Sequence, residues 1–217
     1  MIQNMLQLSD FARVGWVPEV LDEQIFLVRD VLTSNECGEI LKELQSYSEE
    51  DWSRSYIESM REYSLRQFGR SMEELLEEGV FTLDTAWADK NITVQNTELT
   101  CRINDQISAL IESYPQLQFR GLGNAQRQFP GIELKLHTDG DSEPAVVYAV
   151  IFYLNDDYTE GQLYFPTRSL KVKPPAGSLV IFPTTSEYKH GVHSVGVGPT
   201  RYVLPSFIQT NQENHVD

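Results

Sequence analysis

The sequence predicts an α+β fold, mainly β, with helices gathered in the N-terminal half and an antiparallel sandwich or barrel in the C-terminal half. Apolar residues recur at helical spacing only before about residue 116, and from about Leu117 the texture changes to short alternating runs separated by Gly, Pro and Asp clusters. These runs are QLQFRGL, AQRQFPG, IELKLH, AVVYAVIFYL, QLYFP, LKVK, SLVIFP, VHSVGV and RYVLPSFI. No helix-length window separates them, which excludes βαβ crossovers. The length, 217 residues, suits a single domain with a sizeable core and no need of disulfide staples.

Up to about Leu32 the pattern is extended, with EQIFLVRDVL rich in β-branched and aromatic residues. Thr33 and Glu36 then have capping-box spacing, so a helix starts there and runs to about Leu44, burying Ile40, Leu41 and Leu44. Ser71 as N-cap, Glu74 three residues on and Gly79 as a stop frame a short acidic helix. Leu99, Ile103, Ile107, Leu110, Ile111 and Tyr114 mark a third helix, ended by Pro115, whose stripe should pack on a sheet. The expected organisation is one domain over 1–217: a helical and strand support region over 1–116, a β core over 117–210 and a flexible tail over 211–217.

Apolar content of 41% and charged content of 23% are those of a folded globular chain. A net charge of −15 argues against nucleic acid and anionic membranes as partners, because phosphate affinity comes from clustered Lys and Arg. The one basic cluster, Arg61, Arg66 and Arg70, reads as a solvated face answering the neighbouring Glu-rich run. Cys37 and Cys101 fall in predicted helices without CxxC spacing and read as reduced core thiols. With no signal-peptide pattern at the N-terminus and no apolar span of bilayer length, the expected location is cytoplasmic.

Chemistry concentrates in the second half. In a strand, residues i and i+2 share a face, so His137 and Asp139 aim at one point while Thr138 faces away. Alone, such a pair also describes an ordinary polar strand end. His190, in FPTTSEYKHGVHSVGVGPTRY, supplies a second imidazole. Two histidines and a carboxylate with open positions are the ligand set of non-haem Fe(II) oxygenases, although three protein ligands also suit zinc. Arg201 separates the two: starting a strand that forms a hairpin with the one after His190, it carries a guanidinium into the barrel. A buried guanidinium needs an anion, and its planar fork suits a carboxylate of a dicarboxylate cosubstrate.

His137-Thr138-Asp139, FYLND, EGQLYFP, PPAGSLVIFP and HGVHSVGVGPTRY, in that order between about Gln126 and Phe207, resemble the double-stranded β-helix (jelly-roll, cupin-like) core of the Fe(II)/2-oxoglutarate-dependent dioxygenases, most closely the prolyl 4-hydroxylase-like branch. The resemblance implies His137, Asp139 and His190 as iron ligands and Arg201 as the residue holding the distal carboxylate of 2-oxoglutarate. Tyr153 matches a tyrosine that bonds the same carboxylate in some members, and alternation puts Val147, Ala149, Ile151 and Tyr153 on one face. Collagen-type members commonly carry Lys where Arg201 stands, so the chain is more similar there to the oxygen-sensing and bacterial or viral members. The family frame HxVxxVxxG fits from His190; His193 is the competing ligand, with a polar role near the site mouth as its other reading, and His215 is expected to be uninvolved. The cofactors implied are Fe(II), 2-oxoglutarate and O₂, with ascorbate a possible addition.

Gly161, Gly177 and Gly198 read as turn residues, and Phe152, Phe165, Phe182 and Phe207 as sandwich core. Lys135 reads as a solvent or salt-bridge residue, and Trp52, Tyr56, Tyr63 and Trp87 either line a substrate groove or pack in the core. The resemblance implies hydroxylation of prolyl residues in a peptide or protein, with 2-oxoglutarate decarboxylated to succinate and CO₂; Asp139 speaks against halogenation, since related halogenases vacate that position for chloride. The same chemistry on a free amino acid or other small molecule is the alternative, and a non-catalytic jelly-roll binding protein a third. Negative charge favours a cationic or neutral substrate. Oligomeric state is not legible.

Overall fold

Two antiparallel sheets face each other, and helices cover the outer side of the larger one. The computed structural model describes residues 5–48, 51–52, 64–65, 68–78, 87–90, 97–122, 124–141 and 143–211. In chain order, α1 (Leu8–Arg13), β1 (Glu19–Asp22), β2 (Ile25–Val28), α2 (Ser34–Ser46), α3 (Met72–Glu77), β3 (Trp87–Lys90) and α4 (Thr97–Leu110) come first. They are followed by β4 (Leu117–Phe119), β5 (Ala125–Gln128), β6 (Leu134–His137), β7 (Val146–Tyr153), β8 (Leu163–Phe165), β9 (Leu170–Val172), β10 (Leu179–Pro183), β11 (His190–Val192) and β12 (Arg201–Thr210). The major sheet has the order β1-β2-β10-β7-β12-β5-β3, with β4 also on β12, and the minor sheet the order β6-β11-β8-β9.

Local signals account for the helices. Glu36 N–H donates to Thr33 Oγ1 at 3.2 Å and Thr33 N–H to the Glu36 carboxylate at 2.7 Å, so the capping box starts α2 where expected; it ends at Ser46. Cys37, Ile40 and Leu44 are buried, while Leu41 is half-buried at the edge of the same cluster. The same reciprocal bonds join Ser71 and Glu74 at the start of α3, and Gly79 lies outside the described residues. Leu99, Ile103, Ile107, Leu110, Ile111 and Tyr114 are all buried and pack with Phe152, Leu204 and Ile208 of the major sheet. Arg70, exposed, pairs with Glu74 and Glu78 as a solvated face should; Arg61 and Arg66 lie outside the described residues.

Several elements differ from expectation. The N-terminal segment is not extended throughout: α1 forms, held by the Tyr114 hydroxyl bonding Asp10 at 2.7 Å and by the Phe11 and Phe26 rings at 4.8 Å. Six residues hold too little periodicity to announce a helix. β3, ahead of the expected β core, pairs with β5. VHSVGV is not a strand: β11 is His190–Val192, and Val195 makes a single bridge to Glu160. Cys37 is buried as expected, but Cys101 is exposed, on the solvent face of α4.

The core has two layers. One lies between the helices and the major sheet; the other, with Ile25, Ala149, Tyr153, Phe165, Phe182 and Val203, lies between the sheets. β7 alternates between them, sending Tyr148, Val150 and Phe152 toward the helices and Ala149, Ile151 and Tyr153 inward. Val147, expected to face inward, packs in the helical layer, where the register with β12 slips between Ile208 and Gln209. Gly161, Gly177 and Gly198 adopt positive φ, as turn residues do. Among the described residues no helix is long and apolar enough to cross a membrane.

Candidate metal centre

β6 and β11 are neighbours in the minor sheet, and His137 and His190 are register partners with ring centroids 4.5 Å apart. Strand alternation does not deliver the carboxylate. β6 ends at His137, and Asp139 opens a 3-10 turn over Asp139–Asp141, while Thr138 is buried. That turn sits against the end of β10 because residue 140 is Gly: a Cβ there would meet Thr184 O at 2.7 Å. A register slip between His190 and Val192 lets Leu134 and His137, three apart, both face the cavity.

His137 Nε2 lies 3.4 Å from Asp139 Oδ1 and His190 Nε2 lies 3.7 Å from Oδ2, and the ligand atoms of all three fall within 4.8 Å of one another. Each Nδ1 faces a backbone carbonyl, Lys135 O at 2.8 Å and Tyr188 O at 3.2 Å. With Nδ1–H donating there, both Nε2 lone pairs turn toward the carboxylate, the tautomer a metal needs. Burial pushes the His190 imidazole down to about 4, so it is neutral at pH 7. Burial acts to raise Asp139, but its contacts with His137 and His190 outweigh it and hold the carboxyl below its usual range.

The opposite end of the cavity is also polar. Arg201, 3% exposed at the head of β12, donates to Gln128 Oε1 at 3.3 Å, and its Nε has no hydrogen-bond partner. Among the described residues no carboxylate is in ion-pair range of it. The Tyr153 hydroxyl, fully buried, is also without a partner, and the guanidinium carbon lies 5.2 Å from its ring centroid. Burial pushes Tyr153 up to about 12 against the pull of Arg201. Between the two ends lies a cavity of about 170 Å³, walled by Leu134, Ile151, Leu163, Val192, Val203 and Phe207. Two imidazoles and a carboxylate at one corner fit a divalent transition metal with open positions, and the unpaired guanidinium fits an anion reaching in from that metal.

Arg201 does not reach the cavity through a hairpin with β11. β11 pairs β6 and β8 in the minor sheet, whereas β12 pairs β7, β5 and β4 in the major one, so the chain crosses between sheets. His193 stacks on Tyr164 at 4.2 Å, outside the ligand trio. Lys135 is exposed and contributes its carbonyl. Trp52 packs in the core against Tyr202, with the Arg127 guanidinium 4.3 Å from its ring centroid. Tyr56, Tyr63, the Trp87 side chain and His215 lie outside what is described. Gln128 was not anticipated; its signal was a second Gln on the inward face of AQRQ, where a sandwich strand normally buries apolar groups.

Residues 124–209, which include His137, Asp139, Tyr153, His190 and Arg201, match the model of the 2OG-Fe(II) oxygenase superfamily. The stretch that carries the site is thus similar to the 2OG-Fe(II) oxygenase superfamily. No curated protein matches its sequence. Its fold is similar to that of a viral collagen prolyl hydroxylase from Paramecium bursaria Chlorella virus-1 in a 2OG complex, with TM-score 0.59, 15% identity and coverage of 89% of this chain and 100% of that one. A Pseudomonas putida prolyl-4-hydroxylase gives TM-score 0.58 and 18% identity, covering 94% of this chain and 97% of that one. A Trichoplax adhaerens prolyl hydroxylase in complex with a hypoxia inducible factor oxygen degradation domain peptide gives 0.60 and 16%, covering 95% and 88%. Likeness at these identities is likeness of fold, and this chain shares the double-stranded β-helix with all three.

Proposed function

We propose that this chain is a 2OG-Fe(II) oxygenase that hydroxylates prolyl residues in a peptide or protein, consuming O₂ and 2-oxoglutarate and releasing succinate and CO₂. His137, Asp139 and His190 would hold Fe(II), and Arg201 with Tyr153 the distal carboxylate of 2-oxoglutarate. The observation that carries the reading is one cavity with a two-imidazole, one-carboxylate corner at one end and a buried guanidinium without a carboxylate partner at the other. A 2-oxo dicarboxylate has matching ends. When bound, the iron supplies O₂ activation, coupling decarboxylation of the oxo acid to insertion of one oxygen atom into a C–H bond.

The chain's own residues bind, orient and exclude. Lys135 O and Tyr188 O hold both imidazoles in one tautomer, and an ionised Asp139 offsets the charge of a divalent metal. The apolar wall between the two ends keeps water from the reacting centre. The prolyl assignment is supported by fold likeness to three prolyl hydroxylases, one of them holding a peptide.

Anaerobic titration with Fe(II) and 2-oxoglutarate tests the chemistry: a visible charge-transfer band is expected, lost in His137→Ala and Asp139→Ala. No band in the wild type, or a band that survives both variants, overturns it. Mass spectrometry of proline-containing peptides against free proline then tests the substrate, the expected result being a peptide gaining one oxygen with stoichiometric succinate.

A further inference from the structure

The two imidazoles are held by unlike neighbours. Lys135, whose carbonyl faces His137 Nδ1, belongs to β6, so the ladder fixes that acceptor. Tyr188, whose carbonyl faces His190 Nδ1 at 3.2 Å, belongs to a 3-10 turn over Ser186–Tyr188, outside either sheet. Packing places the His190 ring without choosing its protonated nitrogen: Phe182 and Phe165 lie 4.6 and 5.7 Å away, centroid to centroid, and offer no acceptor. Asp139 Oδ2, 3.7 Å from Nε2, favours a proton on that nitrogen, where a metal needs the lone pair. The tautomer therefore depends on Tyr188 O, and hence on what holds the turn.

Two distant segments hold it. From the 3-10 turn over Pro166–Arg168, which joins β8 to β9, Thr167 Oγ1 donates to Glu187 O at 2.9 Å and the Arg168 guanidinium carbon lies 4.1 Å from the Tyr188 ring centroid. Between β1 and β2, Glu23 O accepts from the Tyr188 hydroxyl at 3.2 Å, and Asp22, the last residue of β1, puts Oδ1 3.4 Å from Arg168 Nη1. Tyr188 is buried, and the Arg168 side chain is 16% exposed with its Nε buried and without a hydrogen-bond partner among the described residues. The guanidinium thus rests on one aromatic ring and one carboxylate, and it joins three turns that no ladder connects.

We propose that Arg168 is a positioning residue for His190. Its guanidinium keeps the Tyr188 ring seated, Tyr188 O then holds the proton on His190 Nδ1, and the Nε2 lone pair stays turned to Asp139 and His137. Arg168 does not line the cavity, so it acts on the metal corner only through this chain of contacts. The proposal rests on the reading that His190 is a metal ligand.

Two measurements on the full chain test it. In anaerobic calorimetric titration, Arg168→Ala is expected to bind Fe(II) about tenfold more weakly than the wild type, the lower end of what disturbing the partner of a metal-bound imidazole costs. Imidazole ¹⁵N shifts of the metal-free protein give a readout that general loosening would not move. His190 should carry its proton on Nδ1 in the wild type and shift toward Nε2–H in Arg168→Ala, while His137 stays unchanged. Should Arg168→Ala not fold, Arg168→Gln, which keeps an aliphatic stem and loses the guanidinium, is judged by the same two readouts. Wild-type Fe(II) affinity in the variant, or a weaker affinity with the His190 tautomer unaltered, would overturn the positioning role and leave the metal reading intact. Absence of Fe(II) binding by the wild type, or undiminished binding by His190→Ala, would sink both.

Discussion

Cys37 and Cys101 occupy helices of similar length, yet tertiary packing gives them different chemistry. Cys37 is 3% exposed against the Gly177 turn, and burial pushes its thiol up to about 11. A thiol-reactive chromophore should therefore titrate Cys101 at once in the native protein and Cys37 only on unfolding. The raised value also has a stability consequence. A group whose native pKa lies above its unfolded value of 9.0 contributes stability that is complete below pH 9 and is lost as pH rises through about 11. Denaturant melts of the wild type should lose roughly 2 kcal/mol over that window, and Cys37→Ala, less stable overall, should lack this alkaline slope. An identical slope in the two proteins would refute the assignment.

At the scale of an element, the 3-10 turn over Asp139–Asp141 is the piece that brings a carboxylate from a strand end to the two imidazoles. Its place depends on Gly140 passing close to Thr184. Gly140→Ala should displace Asp139 and weaken Fe(II) binding on the order of tenfold, the scale of disturbing the support of a metal ligand. Thr33→Ala is the contrasting case. It removes the oxygen that accepts from Glu36 N–H and should cost about 1 kcal/mol of stability with no change in Fe(II) affinity. Calorimetric Fe(II) titration beside denaturant melts separates the two outcomes. Proline inside β12 has a reason at this scale as well. Away from β7, β5 pairs Arg201 to Val203 and β4 pairs Ile208 to Thr210, so Pro205 faces no strand that would need its missing N–H.

Across the whole molecule, residues before 116 are part of the β architecture rather than an addition to it. β2 pairs with β10, β3 with β5, and the apolar stripe of α4 covers the outer face of the major sheet. A fragment of residues 117–211 would expose that face and leave β10 as an open edge. We expect it to show no cooperative unfolding transition by circular dichroism, whereas the full chain unfolds in one step; an independently cooperative fragment would contradict this. The charge of −15 is carried by a surface whose described arginines are largely paired with carboxylates, while Arg201 stays inside and unpaired.

What local chemistry dictates is already present in the residues. Thr33 and Glu36 start a helix wherever the chain goes, the stripe from Leu99 to Tyr114 must be buried, and inward alternation along β7 turns Tyr153 toward the second layer. The side chains singled out as candidates, His137, Asp139, His190, Arg201 and Tyr153, are brought to one cavity. How they get there is a matter of long-range packing. Alternation placed Asp139 in a strand because a two-residue period carries no information about a chain that stops pairing, and Gly140 against Thr184 settles the turn. β11 and β12 are sequential strands, which usually pair, yet their partners lie in different sheets.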